Sequence, residues 1–156
     1  MAGSDSYRAR RLALQGLCCL DAQGHKALEL VVEFVHESRE SPRVIALAKE
    51  LLRQTHDNQG MLDPIIAGKS RRWDLGRMAM VDRNILRLAI WEMVSDRTPR
   101  RVAINEAIRL AKEFSSEEAS RFVNGVLDAV AAGMAEETSE TSETSETSET
   151  SETSSQ

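Results

Sequence analysis

A chain of 156 residues, 41% of them hydrophobic, has enough apolar material for one domain or for two very small ones sharing a core. Its apolar runs are short and broken by charge, which excludes a membrane span or a signal-peptide core and makes the cytoplasm the expected compartment. The net charge of −5 is unevenly placed: Glu136 to Gln156 holds seven glutamates and no lysine or arginine, so the remainder carries 20 basic and 18 acidic residues, a balance of +2 that leaves a nucleic-acid partner open.

The pattern predicts an all-α chain, a compact bundle of about seven helices. The first runs from about Ser6 to Ala22 and stops near Gly24; the second covers Ala27 to Glu37. Ser41 as cap and Pro42 in the first turn open a third, reaching about His56, and Asp63 with Pro64 repeats that signal for a short fourth. The fifth, Met78 to Val94, is apolar on nearly every side, as a helix buried between others must be. The sixth spans about Val102 to Phe114, and a capping box of Ser115 and Glu118 starts the seventh, which extends to about Met134. From Thr138 the sequence repeats Thr-Ser-Glu five times with nothing apolar to bury, so residues 136–156 are expected to be a disordered acidic tail behind a domain of residues 1–135. A solvating tail, an interaction tail and a phosphorylation target all fit that composition.

Catalytic and metal chemistry find no support. Cys18 and Cys19 are adjacent and form no C-x-x-C pattern, and the three histidines are scattered. Only His36 has a carboxylate at ligand spacing, Glu33, whereas a di-metal carboxylate site needs that motif twice. No phosphate-binding glycine loop or nucleophile elbow occurs. The expectation is no enzyme, no cofactor and no metal.

Two segments point toward RNA. Arg8, Arg10 and Arg11 place three guanidiniums within four residues of the first helix, with Arg8, Arg11 and Gln15 on one side and Ala13, Leu17 and Leu20 on another. Such a helix can pack and still offer charge to phosphates; an exposed first turn that is merely basic fits as well. In the seventh helix Phe122 lies beside the core stripe of Val123, Val126, Leu127 and Val130 and next to Arg121, where a ring can stack on an unpaired base or cover a neighbouring helix. On this reading Arg10→Ala weakens binding to unrelated RNAs and flattens its salt dependence.

Three stretches, Arg8 to Leu17, Trp73 to Ala89, and Val102 to Phe114 continued by Arg121 to Asp128, together resemble the NusB family of transcription antitermination factors over about Tyr7 to Val130. The resemblance implies two small helical subdomains. It also implies binding of boxA RNA in ribosomal RNA leader transcripts, jointly with NusE, a small-subunit ribosomal protein, so that the RNA polymerase elongation complex resists termination. Position by position it assigns Arg8, Arg10, Arg11, Glu118, Arg121, Phe122 and Asn124 to RNA and Asp82 to the NusE side. Cys18 stands where many members have an aromatic, and Ser115 replaces a common glycine. Binding by the isolated chain is expected to be weak and to rise with NusE. Two other readings stay open: a protein-interaction module of this fold, self-associating as a homodimer, that has lost RNA binding, and a regulatory domain like that at the N-terminus of ribosomal RNA cytosine methyltransferases.

Overall fold

The computed structural model describes residues 2–70 and 74–149, with the side chains of 5–70 and 74–138. The helices are α1 (Ala2–Gln23), α2 (Leu28–His36), α3 (Pro42–Asp57), α4 (Gln59–Lys69), α5 (Met80–Val94), α6 (Arg100–Phe114) and α7 (Glu117–Glu149), with single 3-10 turns at His25–Ala27 and Leu75–Arg77. Among the described residues there is no strand. Trp73, part of the middle stretch used above, and residues 150–156 of the tail lie outside the described residues.

Local chemistry explains most boundaries. Gly24, at φ 90° and ψ 161°, takes a positive-φ conformation that residues with a side chain rarely adopt, which ends α1, and its N–H donates to the Leu20 carbonyl at 2.7 Å. Ser41 caps α3 by accepting the Val44 N–H at 3.3 Å, with Pro42 in the first turn as expected. α1 begins at Ala2 rather than near Ser6, and three further boundaries differ from the sequence reading. The fourth helix begins at Gln59, with Pro64 inside it, because Asp63 does not cap: its carboxylate is engaged by Arg87. The seventh helix is capped by Ser116, whose Oγ accepts the Ala119 N–H at 3.0 Å, rather than by Ser115, which closes α6. That helix also runs past its expected end near Met134, through the first Thr-Ser-Glu repeats to Glu149. No Gly or Pro follows Gly133 to stop it, Glu favours helix, and the Thr138 hydroxyl donates to the Met134 carbonyl at 2.9 Å.

α1, α2 and α3 pack on one another, α6 packs on α7, and α4 lies against α5 and α7. α5 touches α1, α3, α4, α6 and α7, so one apolar core runs through both groups around Ile85, Leu86, Leu88 and Ile90, all fully buried. Gly16 lets α1 approach closely: a Cβ there would lie 3.1 Å from Leu52 and 3.3 Å from Val31.

An enclosed helix should be apolar, yet α5 also buries Asn84, Arg87 and Glu92. Each is answered by a neighbour. Glu92 receives the Arg10 guanidinium of α1 at 2.9 to 3.1 Å and the Thr98 hydroxyl at 2.9 Å. Arg87 clamps Asp63 of α4 at 2.7 and 2.9 Å and reaches Asp21 of α1 at 3.2 Å; Arg83 and Asn84 reach the same Asp21 oxygen at 2.7 and 2.9 Å. Trp91 adds a bond from its Nε1 to Gln54 of α3 at 3.1 Å.

Removing one member strands the other in a dry site. Glu92→Gln should therefore destabilise the fold by about 3 to 5 kcal/mol in urea unfolding, while the double change Arg10→Met with Glu92→Leu recovers most of that loss. A loss below about 1 kcal/mol would show the pair to behave as an exposed one. Burial raises the Asp21 carboxyl, but hydrogen bonds from Arg83 and Asn84 and the charges of Arg83 and Arg87 outweigh it and hold the pKa below the usual value. The stability this supplies is complete above the ordinary Asp range and is lost as pH falls through the depressed value. Asp21→Asn should flatten the acid limb of the stability curve.

Candidate nucleic-acid interface

Each arginine of the front patch already has a carboxylate. Arg8, exposed, pairs with Glu40 and lies 3.9 Å from Asp5. Arg11 pairs with Glu113 at 2.8 Å and lies over the Phe114 ring, 5.6 Å from its centroid. Arg10 departs from the expectation: it is 7% exposed and neutralised by Glu92, so it offers no charge to a phosphate, and Arg10→Ala becomes a stability variant rather than a probe of salt dependence. The reason is helical geometry. Arg10 lies about 100° from Arg11 and falls on the α5-facing side with Ala9 and Ala13, both fully buried.

The second segment divides. Glu118 and Phe122 line a cavity of about 410 Å³, together with Arg77, Met78, Ala79, Ser115 and Ser116. Phe122 packs part of its ring on the core and keeps the rest open to this cavity. Arg121, exposed, and Asn124, half-buried, are not among its walls.

Asp82, assigned by resemblance to the NusE side, belongs to the same cavity as Glu118 and Phe122. It is 9% exposed, and its Oδ1 has no hydrogen-bond partner. Lying in the first turn of α5, it has favourable helix-end electrostatics without being tied down by a bond.

The front patch and the cavity meet at the turn between α6 and α7. Arg11 covers Phe114, the last residue of α6, and the next two residues, Ser115 and Ser116, form part of the cavity wall. On the other side of Phe114 an apolar groove of about 380 Å³ is lined by Leu14, Gln15, Cys18, Cys19, Met80 and Val81, where an aromatic at position 18 would supply bulk that Cys18 does not. Burial, with the neighbouring Asp21 and Cys19, pushes the Cys18 thiol up to about 11, which keeps it protonated and unreactive at neutral pH.

Sequence reasoning missed Arg77, which contributes an exposed guanidinium to the cavity from the 3-10 turn before α5. It also missed Arg109, whose guanidinium lies 3.6 Å from the centroid of the Tyr7 ring. Neither had a helical-face signal: Arg77 lies in a connection, and Arg109 reads as an ordinary solvent-side residue of α6.

A model of the NusB family matches residues 7–132. The chain is 42% identical over 131 residues to the transcription antitermination protein NusB of Anaeromyxobacter sp. (strain Fw109-5), covering 83% of this chain and 92% of that protein. It is similar to the solved structure of T. maritima NusB, with 31% identity, a TM-score of 0.75 and coverage of 81% and 90%. It is also similar to a chain in a crystal structure of antitermination factors NusB and NusE in complex with dsRNA, with 30% identity, a TM-score of 0.71 and coverage of 81% and 96%.

The single tyrosine offers a clean report on the front patch. Burial, and then the hydrogen bond that its hydroxyl donates to Glu113, push the Tyr7 phenol up to about 12. The folded state thus holds the phenolic proton more tightly than the unfolded chain, so stability falls as pH rises from about 10 through 12. Ultraviolet titration should show tyrosinate only near pH 12, and Glu113→Gln should bring the transition back toward 10. Coincident titrations of the two proteins would contradict the pairing.

Proposed function

The chain belongs to the NusB family, and on that premise we propose that it is a transcription antitermination factor that binds boxA RNA of ribosomal RNA leader transcripts jointly with NusE. Bound there, it stabilises the RNA polymerase elongation complex against termination, acting in the cytoplasm and without catalytic residue, cofactor or metal. Among the described residues no helix is long and apolar enough to cross a membrane.

The observation that carries the proposal is the half-exposed Phe122 ring in the wall of the cavity at the α6–α7 turn, bordered by the exposed Arg77 and followed along the surface by Arg121. An aromatic beside cations is the arrangement by which proteins hold unstacked bases and their phosphates. In this division of labour, Arg121 and the outward parts of Arg8 and Arg11 attract the backbone, and Phe122 with Glu118 and Asn124 reads bases. Because Arg8 and Arg11 are shared with carboxylates, the attraction is modest. A docked NusE therefore supplies the rest of the RNA track.

The same pairing favours one second reading, a protein-interaction module of this fold that self-associates and no longer binds RNA. Gel shifts with boxA RNA, with and without NusE and at two salt concentrations, separate the two. Antitermination predicts weak shifts alone and strong ones with NusE; a module without RNA binding gives none in either case. Phe122→Ala should cost about 1 to 3 kcal/mol on boxA RNA and less on a random oligomer. Arg121→Ala should weaken both RNAs alike and lower the salt slope by about 0.7 for each phosphate that the guanidinium neutralises. Equal losses from Phe122→Ala on the two RNAs would make the ring merely structural.

A further inference from the structure

α2 carries an apolar pair on the side that its own chain does not cover. Val31, Val32 and Val35 are buried where α2 packs on α1 and α3, whereas Leu30 and Phe34, one helical turn apart, are 70% and 67% exposed. The flank toward α3 is tied down, by Arg53 on Glu29 at 3.1 and 3.2 Å and by Lys49 donating to His36 Nδ1 at 2.9 Å. The outer stripe is not: Lys26 lies about a turn before Leu30 and Glu37 about a turn beyond Phe34, both exposed and neither with an ion-pair partner among the described residues. From N- to C-terminus the stripe therefore runs cation, Leu30, Phe34, anion.

We propose that this stripe is the contact between two copies of the chain, α2 running antiparallel to α2 of the second copy, with Leu30 of each on Phe34 of the other and Lys26 of each beside Glu37 of the other. An order of cation, apolar, apolar, anion complements itself only when reversed, and a two-fold axis across the helices reverses it; a parallel pair sets like charges together. A basic partner helix answers Glu37 and leaves Lys26 opposed, and an acidic one does the converse. Glu33, exposed on the flank of the same face, meets its own copy near the axis and weakens the contact. The two apolar pairs together cover on the order of 500 Å², about a third of a standard interface, so the dimer is a weak one. α2 packs on α1 and α3, whereas Arg121 and Phe122 belong to α7, which packs on α4, α5 and α6. The dimer therefore leaves α7 uncovered and, unlike self-association in place of RNA binding, presents two copies of the surface assigned to RNA. That last consequence rests on the proposed function; the dimer itself does not.

Analytical ultracentrifugation of the full chain, followed up to about 1 mM, tests it, with a dimer Kd expected at roughly 50 to 500 µM. Leu30→Ala and Phe34→Ala should each weaken the dimer at least about 10-fold with helical circular dichroism unchanged, since both side chains are exposed in the single chain. Lys26→Glu and Glu37→Lys should each weaken it by about 2- to 10-fold, because every change enters the dimer twice, and the two together should restore it. Glu33→Gln should tighten it. A chain that stays monomeric, a dimer untouched by both alanine changes, or a charge exchange no tighter than its single variants overturns the proposal. So does a monomeric chain that loses NusE binding with Phe34→Ala, which gives the face to NusE. Failure of the dimer with NusE-enhanced boxA binding intact leaves the proposed function standing; a dimer that behaves as described while no RNA binds, with or without NusE, removes the function alone.

Discussion

The bidentate contact between Arg10 and Glu92, repeated in kind by Arg87 with Asp63 and extended by a single bond from Arg87 to Asp21, is the constraint on which the rest of the molecule depends. α5 is enclosed by five other helices, and apolar packing around Ile85 and Leu88 would tolerate small slides along its axis. Charged pairs with two well-directed bonds do not, since a shift of one residue leaves buried guanidiniums and carboxylates unmatched. They join α5 to α1 on one side and to α4 on the other, across both helical groups. The lowered pKa of Asp21, on which Arg83, Asn84 and Arg87 all converge, is the electrostatic trace of that junction.

Placing α5 places its first turn. Asp82 then shares a cavity with Glu118 and Phe122 of α7, beside the α6–α7 turn. Arg11 of α1 lies over Phe114, the residue just before that turn, so the cationic opening of α1 and the aromatic wall of α7 adjoin without direct contact. The pairing that stabilises the fold also reduces the charge available to a nucleic acid: Arg10 is consumed by the core, and Arg8 and Arg11 are shared with Glu40 and Glu113.

Helix positions were legible where a single physical rule decides them. The Ser41-Pro42 start and the all-round apolar character of α5 needed no tertiary information, and α2, α3, α5 and α6 lie within two residues of their predicted bounds. Errors arose where one residue type serves two ends. Asp63 before Pro64 looks like a cap until Arg87 claims its carboxylate, and Arg10 looks like part of a surface patch until Glu92, 82 residues away, draws it inward. Ser115 and Ser116 differ by one position, and only the backbone shows which hydroxyl reaches an open N–H. Phe122 was legible as a residue at the edge of the core; its sharing a cavity with Asp82 required the packing of α5 on α7.

Photocrosslinking tests the central claim most directly. With boxA RNA and NusE bound, ultraviolet irradiation followed by peptide mass spectrometry should attach RNA to the segments around Arg77 and Phe122 at the start of α5 and in α7. Crosslinks confined to α2 and α3, with those two segments unmodified, would contradict it.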